Sequence, residues 1–190
     1  MESVCVFCGS SSTIPQTFIR SAGDMGKAIG KRNLVLIFGG AGIGLMKALA
    51  DGAIESGGRT VGIMPRAWAP ERAHPNIARL ELVDSVQERK SRMLSMADAF
   101  ITLPGGFGTL DELFEVLTLS QLGFHRKPCG LFNVNGYFDV FLNFLNEMHT
   151  YGFIDSSDKN SIIVEHEPER ILDIMAIRAG SPPYHIPNNR

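Results

Sequence analysis

The chain has 190 residues, 44% hydrophobic and 20% charged, the length and balance of one globular domain rather than two. Its 18 basic and 20 acidic residues leave a formal charge of −2, which argues against a broad basic surface for nucleic acid. No stretch reaches the roughly 18 apolar residues that span a membrane, and Met1–Val6 shows no basic segment leading into an apolar run, so a soluble, cytoplasmic protein with no membrane partner is expected.

Short, almost wholly apolar runs alternate with helical patterns from end to end, the signature of repeated βα units. Strands are expected at Val4–Cys8, Leu34–Phe38, Thr60–Met64, Arg79–Val83, Ala99–Leu103, Pro128–Asn133 and Ser161–Val164. Between them, helices are expected near Gln16–Gly30, Gly44–Ser56, Ser85–Ala97, Thr109–Leu122, Tyr137–Tyr151 and Pro168–Ile177, with Gly57, Gly123 and Gly152 as helix-closing residues. This predicts an α/β, Rossmann-like, doubly wound and mainly parallel sheet of about seven strands, flanked by helices on both faces. One domain covers 1–179, and the proline-rich residues 180–190 read as an extended or disordered tail.

The three cysteines, Cys5, Cys8 and Cys129, are too few for a disulfide framework. Cys5-x-x-Cys8 has redox or half-zinc spacing, but no second Cys/His pair completes it, so ordinary strand thiols are expected. The long excursion Pro65–Ala78, with Trp68 and His74, follows the third strand where binding elements and lids occur.

Twenty glycines exceed the roughly 13 of average usage, and eight of them fall in three loops that follow strands: Cys8-Gly9-Ser10-Ser11, Gly39-Gly40-Ala41-Gly42-Ile43-Gly44 and Pro104-Gly105-Gly106-Phe107-Gly108-Thr109. At that end of an open α/β sheet, helix N-termini present unpaired N–H groups to anions. Named nucleotide motifs fit poorly: Gly44 is followed by Leu45-Met46 rather than Lys-Ser/Thr, and no acidic residue ends the next strand to hold a ribose.

Two constellations carry charge beside these loops. Thr109 and Glu112 have the spacing of a capping box; the other reading points Glu112 into the cleft lined by the glycine N–H groups. Leu110, Leu113, Phe114 and Leu117 form the expected core-facing stripe, with Asp111 and Glu112 off its centre. In Ser85-Val86-Gln87-Glu88-Arg89-Lys90, again with capping-box spacing, Lys90 falls on the apolar side between Val86 and Met93, and Arg89 is its neighbour. They read either as snorkelling side chains or as an anion site.

With these residues in view, the chain resembles the Lonely Guy (LOG) family of cytokinin riboside 5′-monophosphate phosphoribohydrolases. The resemblance is carried by Arg89-Lys90-x-x-Met93 and by Pro104-Gly-Gly-Phe-Gly-Thr-x-x-Glu112, and extends over roughly residues 3–175. It implies hydrolysis of the N-glycosidic bond of a purine nucleoside 5′-monophosphate, AMP included among the candidates, to free base and ribose 5-phosphate. It implies a homodimer, no metal and no cofactor. By matching position it implies Arg89 and Glu112 as the catalytic pair, and Glu71, Lys90, Gly106, Phe107, Gly108, Thr109, Leu110, Asp111, Glu112 and Thr118 as substrate-binding residues. Glu71 stands in Pro65-Arg-Ala-Trp-Ala-Pro-Glu71, where the plant-like pattern has the acid directly after Pro-Arg.

Family members are often labelled lysine decarboxylases, a chemistry that needs pyridoxal phosphate on a Schiff-base lysine, and no lysine here is marked for that role. A rival reading is a non-catalytic nucleotide or cofactor carrier of the same fold, such as the molybdenum-cofactor carriers. The pairing of Arg89 with Glu112 favours the hydrolase. Met93, Trp68 and Phe107 are candidates to line the base pocket.

Overall fold

The computed structural model describes residues 1–68 and 70–180. Its strands are β1 (Ser3–Phe7), β2 (Val35–Phe38), β3 (Arg59–Pro65), β4 (Arg79–Val83), β5 (Phe100–Thr102), β6 (Cys129–Phe132) and β7 (Ile162–Glu165). They form one sheet in the order β4-β3-β2-β1-β5-β6-β7, and every neighbouring pair is parallel. All seven expected strands are present, each end within one residue of its expected place. The helices are α1 (Gln16–Lys31), α2 (Gly44–Glu55), α3 (Val86–Met96), α4 (Phe107–Gln121), α5 (Asp139–Thr150), α6 (Ser156–Ser161) and α7 (Pro168–Gly180). Among the described residues no helix is long and apolar enough to cross a membrane.

The unbroken apolar strands are explained by their two buried faces, because successive side chains alternate across the sheet. Val4, Val6 and Phe38 point to one side and pack with Met25 and Ile29 of α1, Leu49 and Ala53 of α2, and Ile171 and Met175 of α7. Cys5, Phe7, Ile37 and Phe100 point to the other and pack with Met93 of α3 and Val116 of α4. The three cysteines are buried free thiols within these layers, in keeping with the reading of them as strand residues. Gly57, Gly123 and Gly152 all follow helices at positive φ.

Four expectations need correction. Helix α6 was not anticipated: Ser-Ser-Asp-Lys-Asn-Ser has no apolar periodicity, and what holds it is a reciprocal cap between Asp155 and Asp158. Helix α4 begins at Phe107 with Gly106 as its N-cap and no side-chain cap bond, so Thr109 and Glu112 form no capping box. Its buried residues are Thr109, Glu112, Leu113 and Val116, one position earlier than the expected stripe. The reason is that α4 faces two neighbours: Leu113, Leu110 and Leu117 pack toward α5, while Glu112 and Val116 lie against the sheet. Finally, Gly180 belongs to α7; the rest of the expected tail, 181–190, lies outside the described residues.

Candidate active site

The order in which successive strands join the sheet reverses between β1 and β5. The chain leaves β1 through α1 on one face and leaves β5 through α4 on the other, so the two following loops diverge and open a crevice, the usual ligand site of such sheets. A cleft of about 600 Å3 occupies this position. The first and third glycine loops meet at its floor: Gly9 N–H donates to the Pro104 carbonyl at 3.1 Å. A Cβ on Gly105 would lie 2.9 Å from the Gly9 nitrogen and would also strike the Thr109 side chain, so this close approach requires glycine.

Gly106 and Gly108 differ from Gly105. Both line the cleft, neither has positive φ, and a Cβ on either would meet nothing within 4 Å. Packing therefore does not demand glycine at these two places. What the missing side chains provide is open access to the first-turn N–H groups of α4, which have no intrahelical acceptor and no side-chain cap.

Glu112 and Arg89 close one wall as a buried ion pair, Nη1 of Arg89 donating to Oε1 of Glu112. The two residues are 4% and 6% exposed for Arg89 and Glu112 respectively. Arg89 stands in the first full turn of α3, whose N-cap Ser85 accepts from Glu88 N–H at 3.0 Å. The reciprocal bond expected from Glu88 goes instead to the Asp84 N–H, at 2.8 Å. The guanidinium is fixed on three further sides. Its Nε donates to the Ile63 carbonyl at the end of β3, at 2.9 Å; the Trp68 ring lies 5.3 Å from its Cζ; and Gly39 leaves room for Nη2, where a Cβ would collide with it.

Burial raises the pKa of the Glu112 carboxyl, and the charge and hydrogen bond of Arg89 oppose that rise. The pair thus sets a carboxyl oxygen and a fixed guanidinium side by side in the cleft wall. Cys8 lines the same cleft, but burial, with the Glu112 charge, drives its thiol pKa far upward, which removes it as a thiolate nucleophile.

Of the residues expected to bind substrate, Gly106, Gly108, Thr109 and Glu112 line the cleft with Arg89. Phe107 is 94% exposed and, like Leu110, does not line it. Lys90 is held outside the cleft by Asp111, at 3.0 Å, and by Glu115, and these contacts raise its pKa. Glu71 sits exposed in a 3-10 turn of the 65–78 excursion. Thr118 lines a separate hollow between α4, α5 and α6.

His74 and His125 hold local structure. His74, buried, joins Asp51 through Nε2 at 2.9 Å and accepts from the Asn76 N–H; His125 holds the Val116 carbonyl at 2.8 Å. Trp68 lines the cleft as expected, whereas Met93 is in the core and Ile14, Phe18, Leu45 and Met46 form the apolar wall instead. Tyr137, also unmarked by any motif, completes that wall.

Comparison with known proteins adds an independent line. Residues 46–175 match a family model described as "Possible lysine decarboxylase". The chain is 42% identical over 165 residues to a cytokinin riboside 5′-monophosphate phosphoribohydrolase of Rhodococcoides fascians, covering 86% of this chain and 83% of that protein. It is 38% identical to the Arabidopsis thaliana enzyme LOG2 over 90% of this chain and 81% of the relative, and 39% identical to the Oryza sativa enzyme LOG over 96% and 75%. Among solved structures, a molybdenum cofactor carrier protein from Chlamydomonas reinhardtii superposes with a TM-score of 0.74 at 18% identity, covering 95% of this chain and all of that one. A molybdenum cofactor binding protein from Rippkaea orientalis gives 0.72 at 20%, covering 93% and 97%. At these identities the two structures share the fold.

Proposed function

The chain belongs to the LOG family of cytokinin riboside 5′-monophosphate phosphoribohydrolases, and on that premise we propose that its cleft hydrolyses the N-glycosidic bond of a purine nucleoside 5′-monophosphate, releasing the base and ribose 5-phosphate. The observation that carries this reading is the buried Arg89–Glu112 pair in the wall of a cleft that ends at uncapped N–H groups. A carrier has no need of a buried, held carboxylate; glycosidic cleavage does.

The phosphate dianion sits against Gly106, Gly108 and Thr109, where backbone donors and the positive end of the helix dipole favour it. This leaves the ribose beside Glu112 and the base toward Ile14, Phe18, Leu45 and Met46. As the bond from C1′ to the base nitrogen lengthens, positive charge grows on the sugar and negative charge on the base. Glu112, ionised, stabilises the cationic sugar and takes a proton from the water that attacks C1′. Arg89 holds that carboxylate in place and offsets the negative charge of the departing base, whose nitrogen takes up the proton that Glu112 removed from the water, so that the carboxylate is regenerated. Lys90, through Asp111 and Glu115, ties α3 to α4 and so keeps Arg89 opposite Glu112.

The reaction named in the family model's description does not suit these residues. Amino-acid decarboxylation needs a cleft lysine to carry pyridoxal phosphate, and among the described residues no lysine lines the cleft. Dimerisation is part of the proposal: α4 and α5 leave Phe114, Val140, Phe144 and Tyr151 in the open, an apolar face suited to a second copy. Three buried free thiols suit a reducing, cytoplasmic setting.

The test is release of base and ribose 5-phosphate from AMP, from isopentenyladenosine monophosphate and from the two nucleosides. Nucleotides are expected to turn over and nucleosides hardly at all. Glu112→Gln and Arg89→Ala are each expected to lose at least about 100-fold in kcat while staying folded. No release from any compound would refute the hydrolase reading, and equal rates on nucleosides and nucleotides would refute the phosphate site.

A further inference from the structure

We infer that Tyr137 is a positioning residue: its hydroxyl fixes the peptide plane between Gly105 and Gly106 and so aims the Gly106 N–H into the anion cradle. The inference rests on the proposal that this loop holds the 5′-phosphate.

The Tyr137 hydroxyl donates to the Gly105 carbonyl at 2.6 Å. In a planar trans peptide the C=O and the following N–H point in opposite directions. Holding the Gly105 oxygen therefore sets the direction of the Gly106 N–H. The constraint matters here because a Gly-Gly peptide is the linkage with the least steric resistance to a flip, and a flip would turn a carbonyl oxygen toward a phosphate. A hydrogen bond accepted by that carbonyl also polarises the same amide group and strengthens its N–H as a donor.

The tyrosine is itself held with care. The loop from β6 to α5 is braced by Asn133, which is buried: its Oδ1 accepts from the Phe138 N–H at 2.8 Å and its Nδ2 donates to Asp139, also at 2.8 Å. The turn places Asn135 and Gly136 at φ 52 and 70, and the Tyr137 N–H donates to the Val134 carbonyl at 3.0 Å. The ring is then fixed edge-on by Phe18 of α1, at 5.9 Å between centroids, and by Phe138, at 5.0 Å. A residue needed only for apolar packing would gain nothing from a hydroxyl; this one spans 32 residues of sequence to reach one carbonyl.

Tyr137→Phe keeps the ring and its edge contacts and removes only the hydroxyl. Binding of ribose 5-phosphate and of adenosine to the intact protein, measured by calorimetry on wild type and variant, gives the test. Ribose 5-phosphate is expected to bind about 3- to 10-fold more weakly to the variant, the size of one lost neutral hydrogen bond. Adenosine binding and the melting temperature are expected to stay unchanged. In turnover, KM for the nucleotide rises and kcat holds.

Equal affinity of wild type and variant for ribose 5-phosphate would overturn the role of Tyr137 while leaving the cradle intact. Equal weakening of both ligands would overturn it too, as a general loss of cleft shape. No binding of ribose 5-phosphate to the wild type would instead remove the cradle on which the inference rests.

Discussion

Gly39→Ala tests the site without touching a residue that contacts substrate. Gly39 ends the strand side of the second glycine loop, and a Cβ there would overlap Nη2 of Arg89 and lie 2.9 Å from Cε of Met46. Both neighbours are ends of flexible side chains, so the fold yields at modest cost, about 1–3 kcal/mol for overpacking. The guanidinium is less free to move, because its Nε is bonded to Ile63 and its Nη1 to Glu112. Restoring an ordinary contact of about 3.5 Å requires it to withdraw by roughly 1 Å, and a displacement of that size at a reacting centre costs about 100-fold. That corresponds to about 2.7 kcal/mol of transition-state stabilisation. The assay is kcat for base release from the nucleotide in four proteins: wild type, Gly39→Ala, Arg89→Ala and the double variant. If the alanine acts through Arg89, it has no further effect once Arg89 is gone, and the cycle is strongly non-additive. A Gly39→Ala enzyme with at least half of wild-type kcat, or a double variant in which the two losses add, would refute the argument.

Three other outcomes are expected. Gly108→Ala should raise thermal stability, by up to about 1 kcal/mol from helix propensity, and yet weaken binding of phosphate-bearing substrate by at least about 10-fold because the methyl group covers a cradle N–H; melting temperature and KM measured on one preparation check the opposed signs. The acid limb of kcat against pH should lie above the ordinary glutamate range, since burial raises the Glu112 pKa and catalysis needs the carboxylate; removing the opposing cation in Arg89→Met should move that limb further up. The stability sign is the reverse: protonated Glu112 favours the native state at low pH, and that contribution is lost as pH rises through the raised pKa. His74→Ala should remove the buried ring that bonds both Asp51 and the Asn76 N–H and cost about 1–3 kcal/mol for the two hydrogen bonds, or about 2–4 °C in Tm per kcal/mol for a chain of this length, with kcat falling less than in Arg89→Ala.

Particular elements show where sequence reasoning reached and where it stopped. The strands were readable because each is a short apolar run between turn signals, and a strand buried on both faces leaves no other pattern. Helix α6 was not, because a polar six-residue helix has no periodicity and is held by its Asp155 cap. The register of α4 failed for a related reason: Leu110 and Phe114, expected on the core-facing stripe, face α5, Phe114 meeting Phe141 edge-on at 5.7 Å. A helix with two partners has two apolar stripes, and choosing one from spacing alone puts Glu112 on the wrong side. In the site, Gly106, Gly108, Thr109 and Glu112 were adjacent in sequence and were found together. Ile14, Phe18, Leu45, Met46 and Tyr137 come from three separate segments whose local patterns read as ordinary helix starts.

The sequence by itself determined the α/β architecture, the three glycine turns at strand ends and the charged residues that follow them, because strand period, turn chemistry and orphan helix N–H groups are local properties of the chain. Only the tertiary structure decided that Glu112 meets Arg89 rather than its own helix cap, that Lys90 turns away to Asp111 and Glu115, and that Gly39 and Tyr137 support the two halves of the site. Those choices join residues 21 to 50 positions apart, and they follow from the order of strands in the sheet, which brings the ends of β1, β2, β3 and β5 to one rim and sets the buried Glu112 carboxyl against the Arg89 guanidinium.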